Sequence, residues 1–110
     1  MYLCVMSYFE KFLNAKKISF DYDGTFSKNK GFELAKKLIE EGNSVYIISA
    51  RSSVDGILKR AKDCGILPSR IYATGSNDEK IKKVIYLGIN THYDNNIDVV
   101  KSLPGIGKLI

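Results

Sequence analysis

The sequence predicts an α/β fold in which a mostly parallel sheet lies between two layers of helices. Three observations lead there. Short apolar, strand-like runs alternate with helical stretches of about a dozen residues, the signature of repeated strand–helix–strand units. The run Ser44 to Ala50 (SVYIISA) is continuously β-branched and aromatic, as in a strand buried on both faces. Gly42, Gly65 and Gly88 each stand where a helical pattern stops.

In chain order, Tyr2, Val5, Met6, Phe9, Phe12 and Leu13 recur at helical spacing. They predict an amphipathic helix within residues 1–16 that precedes the core and packs on the domain or on a second subunit. The first strand is expected from about Lys17 to Asp23. A polar link, Phe26 to Lys30, leads to a helix over Gly31 to Glu41, with Phe32, Ala35, Leu38 and Ile39 inward. After the Ser44 to Ala50 strand, Ser52 is expected to cap a second helix whose stripe is Val54, Ile57, Leu58, Ala61 and Cys64. Arg70 to Ala73 is a short third strand. Ser76 to Glu79 reads as a capping box opening a third helix, and Asn90 to Tyr93 as a fourth strand ending at Asp94. A short helix over Ile97 to Leu103 stops before Pro104, and Ile106 to Ile110 is a brief fifth strand.

The 110 residues fit a single domain with one core, and 45% apolar and 26% charged residues are those of a folded globular chain. No apolar run approaches the ~20 residues of a membrane span, and the N-terminus lacks the basic segment and cleavage site of a secretory leader. Cys4 and Cys64 show no metal-ligand spacing and read as thiols in a reducing compartment, so a cytoplasmic location is expected. Seventeen Lys and Arg against twelve Asp and Glu, a net +5, favour anionic partners. Those are phosphorylated small molecules or nucleotides, with nucleic acid also admitted; the basic residues are scattered rather than striped.

In parallel sheets of this kind, ligands sit beyond the C-terminal strand ends where the strand order reverses. The first strand ends in Asp21-Tyr22-Asp23-Gly24-Thr25. The period of two along a strand would start Asp21 and Asp23 on one face, and two carboxylates so close favour a cation between them. The second strand ends at Ser49, Ala50 and Arg51, and the fourth at Asp94, Asn95 and, a turn later, Asp98. Lys80 lies in the first turn of the helix leading to that fourth strand, with Lys82 and Lys83 as neighbours of the same type. Acids suit a hard cation; a hydroxyl, a lysine and a helix start suit a phosphate. His92, the only histidine, falls within a strand and reads as structural.

These motifs, in this order, resemble those of the haloacid dehalogenase-like phosphatases over about Lys17 to Ile110. The family opens with Asp-x-Asp-Gly-Thr after an apolar strand, here Asp21 to Thr25. Its later motifs are a strand ending in Ser or Thr (Ile47-Ile48-Ser49), a lysine near a helix start (Lys80), and an acidic cluster after a strand (Asp94-Asn95-Asn96-Ile97-Asp98). The resemblance implies a Rossmann-like three-layer sandwich and a Mg²⁺-dependent phosphomonoester hydrolase. Asp21 would be the nucleophile and Asp23 the proton carrier. Thr25, Ser49, Ala50 and Lys80 would bind phosphate, with Asp21, the Asp23 carbonyl and Asp94 on the metal. Asn95 and Asp98 would stand behind them. Apart from the resemblance, Arg51 reads either as a grip for a second anionic group of the substrate or as a surface arginine. Asn95 departs from the second acid that many members carry there. Phe26 to Lys30 and Thr74 to Asn77 are too short for the cap domain that members insert at those points, so the site is expected to be open. A homo-oligomer could cover it, an open site could also admit nucleic-acid ends, and a catalytically silent binding module is the reading from another class.

Overall fold

The computed structural model describes residues 15–110; the helix expected over Tyr2 to Leu13 lies outside them. Five strands form one parallel sheet: β1 (Lys17–Phe20), β2 (Ser44–Ser49), β3 (Ile71–Ala73), β4 (Thr91–Asp94) and β5 (Gly107–Leu109). Their spatial order is β3-β2-β1-β4-β5. Phe20 is aligned with Ile47 on one side and with Tyr93 on the other, so β1 is the central strand. The chain steps outward from β1 to β3, then crosses back to place β4 on the far side of β1. The strand order therefore reverses between β1 and β4, which opens a crevice at their C-terminal ends.

Among the described residues four helices cover the sheet: α1 (Asn29–Glu40), α2 (Leu58–Cys64), α3 (Asn77–Tyr86) and α4 (Ile97–Lys101). Alternation along β2 sorts the two faces. Val45 and Ile47 join a core with Phe20, Phe26, Ala35 and Ala61, under α1 and α2. Ile48 points the other way, to Val84, Ile89, Val99 and Leu103 under α3 and α4. Ile47 and Ile48 are both fully buried, each contributing about 1.5–3 kcal/mol of transfer free energy. This is the expected three-layer sandwich, and the sheet is parallel throughout. None of the described helices is long and apolar enough to cross a membrane.

Two expectations move at the C-terminal edge of the sheet. β1 stops at Phe20 rather than Asp23, because the chain coils at once into a tight turn over Tyr22–Phe26. Phe26 N–H donates to Asp21 O at 3.0 Å and Ser27 N–H to Tyr22 O at 2.9 Å, while Tyr22 and Phe26 drop their rings into the core. Burial of those two rings outweighs continuation of the strand. The second helix begins at Leu58, not after Ser52. Residues 51–57 form bends and turns instead: Ser53 Oγ accepts from Asp55 N–H, and Ile57 N–H bonds Val54 O. The helix start expected beside Ser49 is therefore absent, and with it that source of anion-binding N–H groups. By contrast, α3 opens as expected, with Ser76 Oγ accepting from Glu79 N–H at 3.1 Å.

The turn after β1 is locked by α1. Gly31 in the first turn of α1 is buried, and a Cβ there would overlap the carbonyl oxygen of Thr25. Gly31→Ala is expected to lower stability by about 1–3 kcal/mol through overpacking, even though alanine is the better helix former by about 1 kcal/mol. The urea midpoint checks this; an unchanged or higher midpoint would show that the contact yields.

Candidate functional site

The crevice between β1 and β4 is built on a buried ladder of polar groups. Ser19 and His92 are aligned across the β1–β4 pair. Period two along each strand then sets Asp21 beyond Ser19 and Asp94 beyond His92, toward the same mouth. Ser19 Oγ bonds His92 Nδ1 at 2.7 Å, and His92 Nε2 bonds Asp94 Oδ2 at 2.9 Å. Lys80, from the first turn of α3, donates Nζ to Asp94 Oδ2 at 3.0 Å and to Asp21 Oδ1 at 2.9 Å. Lys80, Asp21, Asp94 and His92 are all buried. Lys82 instead pairs with Glu79 at the surface, and Lys83 lies over the Tyr72 and Tyr86 rings. Of the three lysines, the fold delivers Lys80 to the carboxylates.

The two buried acids differ in their surroundings. Burial holds the Asp21 carboxyl above its ordinary pKa, helped by the Asp94 charge and opposed by Lys80. Burial would raise Asp94 as well, but hydrogen bonds from His92, the Asn96 N–H and Lys80 outweigh it and bring Asp94 below the ordinary range. Asp94 Oδ1 accepts from Asn96 N–H at 3.0 Å, so both of its oxygens already have donors.

Asp23 goes elsewhere. Because the turn begins before it, Asp23 does not share a strand face with Asp21: the Asp21 side chain is 8% exposed, that of Asp23 61%. Arg51 holds it in a two-pronged ion pair, Nε to Oδ2 at 2.9 Å and a terminal nitrogen to Oδ1 at 2.7 Å. That pair brings the Asp23 carboxyl below its ordinary pKa. The sequence offered no sign of the pairing, since Asp23 and Arg51 come from different strand ends. His92, read as structural, carries the site's underside; its place two residues before Asp94 on one strand was the available signal.

Asn95 sits at the centre of the mouth. Its carboxamide ends 3.1 Å from Asp21 Oδ2 and 3.3 Å from the Asp23 carbonyl oxygen. With the NH₂ turned inward, it donates to both; with Oδ1 inward, three oxygens converge with no proton between them, a donor set that suits a hard cation. Gly24, at φ +78°, makes room for this amide, because a Cβ there would run into it. Among the described residues no three His, Cys, Asp or Glu side chains form a metal cage. A cation here would have to draw on carbonyl and amide oxygens beside the Asp21 carboxylate.

The remaining predicted residues divide. Thr25 is buried with Oγ1 3.4 Å from Asp21 Oδ2. Ser49 is fully buried at the end of β2, its Oγ accepting from Arg51 N–H at 3.0 Å. Ala50 follows it in the bend. Asp98 is exposed on α4; its N–H caps onto Asn96 Oδ1, and its carboxylate meets no donor among the described residues.

Two solved structures share this arrangement of strands and helices. One is described as a 3-deoxy-D-manno-octulosonate 8-phosphate phosphatase from Vibrio cholerae, matched with a TM-score of 0.53 at 22% identity over 84% of this chain. The other is the 3-deoxy-D-manno-octulosonate 8-phosphate phosphatase of Moraxella catarrhalis, in complex with a magnesium ion, a phosphate ion and a KDO molecule; its TM-score is 0.58 at 22% identity over 89% of this chain. The chain shares the fold of these two proteins, the Rossmann-like three-layer sandwich. The chain spans 64% and 67% of the lengths of these two proteins. No family model and no curated protein matches the sequence.

Proposed function

We propose that the chain is a Mg²⁺-dependent phosphomonoester hydrolase that works through an aspartyl-phosphate on a small phosphorylated metabolite or nucleotide. The observation that carries this reading is Lys80 Nζ, buried between Asp21 and Asp94 at the strand-order crevice, with the Asp23 carboxylate open to solvent beside it. In this reading Asp21 attacks phosphorus, the ester P–O bond breaks, and Asp23, in its protonated form, gives its proton to the leaving oxygen. A water then attacks the aspartyl-phosphate, loses a proton to Asp23, and phosphate and the free Asp21 carboxylate result. Lys80 and Ser49 hold the phosphoryl oxygens, with Thr25 steadying Asp21.

The residues present fit a divalent cation. Asp21, the Asp23 carbonyl and Asn95 with Oδ1 turned inward would hold Mg²⁺, leaving Asp94 to anchor Lys80. Bound there, Mg²⁺ offsets the repulsion between the carboxylate nucleophile and the phosphoryl oxygens. That the Moraxella phosphatase was solved with a magnesium ion and a phosphate ion supports magnesium as the cation in this reading.

The test is phosphate release from a panel of sugar phosphates, nucleotides and aryl phosphates. Turnover is expected with Mg²⁺, lost in EDTA and restored by added Mg²⁺. Asn95→Ala is expected to raise the half-saturating Mg²⁺ concentration at least about tenfold. No turnover of any panel member in Mg²⁺ would overturn the reading in favour of a silent binding module.

A further inference from the structure

Arg51 occupies a built seat at the open side of the crevice. Its guanidinium lies 4.8 Å from the centroid of the Tyr22 ring. On another side Gly56 leaves the space it fills: a Cβ on Gly56 would come within 2.6 Å of its terminal nitrogen. The fork aims at the Asp23 carboxylate, with both prongs engaged at 2.7 and 2.9 Å. Tyr22 and Gly56 would hold the guanidinium here whatever anion its fork meets.

Two features make the anion exchangeable. Both partners are open to water, Arg51 39% and Asp23 61% exposed, and ion pairs in that setting contribute little to stability. A planar fork also matches any carboxylate or phosphate of the right spacing. The only other cation tied to the site's carboxylates among the described residues, Lys80, is buried and shared by two of them. The loops after β1 and β3 are too short to bring a further recognition element over the mouth.

Resting on the phosphatase reading above, we propose that Arg51 selects phosphomonoesters carrying a second anionic group, a carboxylate or another phosphate, close to the ester. That group takes the guanidinium from Asp23; the freed carboxylate, open to water, takes up a proton from solvent and can then pass it to the leaving oxygen. Substrate recognition and release of the proton carrier become one exchange.

The experiment compares kcat/KM for three substrates of similar size: 2-hydroxyethyl phosphate, 2-phosphoglycolate and ethane-1,2-diol bisphosphate. The wild-type chain is expected to favour one or both doubly anionic substrates by about tenfold in kcat/KM, with KM lowered by the anion's contact and kcat raised by the freed Asp23. The carboxylate and bisphosphate arms separate the two anion types. Arg51→Gln is expected to bring the preference to within about twofold, and Arg51→Lys to keep part of it, because a point charge replaces a fork. A wild type that turns over all three without preference overturns the assignment of Arg51 and leaves the phosphatase reading standing. So does an Arg51→Gln variant that slows all three alike. Turnover of none of them, in Mg²⁺, removes the phosphatase reading and this inference with it.

Discussion

Lys80→Met is expected to lower stability at neutral pH by about 3–5 kcal/mol, the usual penalty for breaking a buried charge cluster from one side. Lys80 Nζ is the donor shared by Asp21 Oδ1 and Asp94 Oδ2, and all three side chains are buried. Removing it leaves two buried carboxylates facing each other without the cation between them. The pH dependence carries the sign that identifies the cause. Asp21 is already raised by burial, so its ionised form is disfavoured in the fold and it prefers to bind a proton. In the variant that preference grows, and acid relieves it by protonating one of the pair. The deficit should therefore shrink as pH falls from 7 toward about 5, the reverse of ordinary acid destabilisation. In the wild type, Asp94 contributes in the opposite sense: its lowered pKa adds stability above the ordinary value of about 3.9, lost as pH falls through its folded value. Urea midpoints for both proteins across this range check the prediction. A deficit under about 1 kcal/mol at pH 7 would show that water reaches the cluster.

Asp21→Asn is expected to reduce phosphate release at least about a thousandfold, since an amide cannot attack phosphorus in place of the carboxylate. The fold should keep its stability or gain slightly. The replacement has the same shape, removes a carboxylate whose charge burial disfavours, and leaves Lys80 paired with Asp94. Loss of turnover with an unchanged urea midpoint assigns the effect to chemistry rather than to unfolding. Retention of activity within about tenfold would rule out Asp21 as nucleophile. The two variants are complementary: Lys80→Met strikes the scaffold and the site together, Asp21→Asn the site alone.

How much of this was legible beforehand follows the range of the interactions involved. The helix over Asn29–Glu40, the Ser76 cap and the doubly buried β2 are local patterns, and they stand within a few residues of expectation. The helix expected after Ser52 starts at Leu58, because the Tyr22 hydroxyl reaches the Gly56 carbonyl at 3.4 Å and Arg51 fills the space beside Gly56. The first contact comes from the turn after β1, 34 residues away, and the same turn holds Arg51 in place through Asp23. Asp21 and Asp23 parted for a similar reason: the rings of Tyr22 and Phe26 bury themselves and turn the chain before Asp23.

From sequence alone came the alternation of strands and helices, the placing of the acids, Ser49 and Lys80 at one end of a parallel sheet, and loops too short for a lid. These depend on side-chain period, caps and chain length, which neighbours in sequence determine. The tertiary structure alone decided which groups meet: Lys80 shared by Asp21 and Asp94, His92 beneath them, Asn95 between Asp21 and the Asp23 carbonyl, and Arg51 on Asp23. Each of those contacts spans separate strand ends or loops, except His92 with Asp94 within β4. Their geometry exists only once the sheet has brought β1, β2 and β4 side by side.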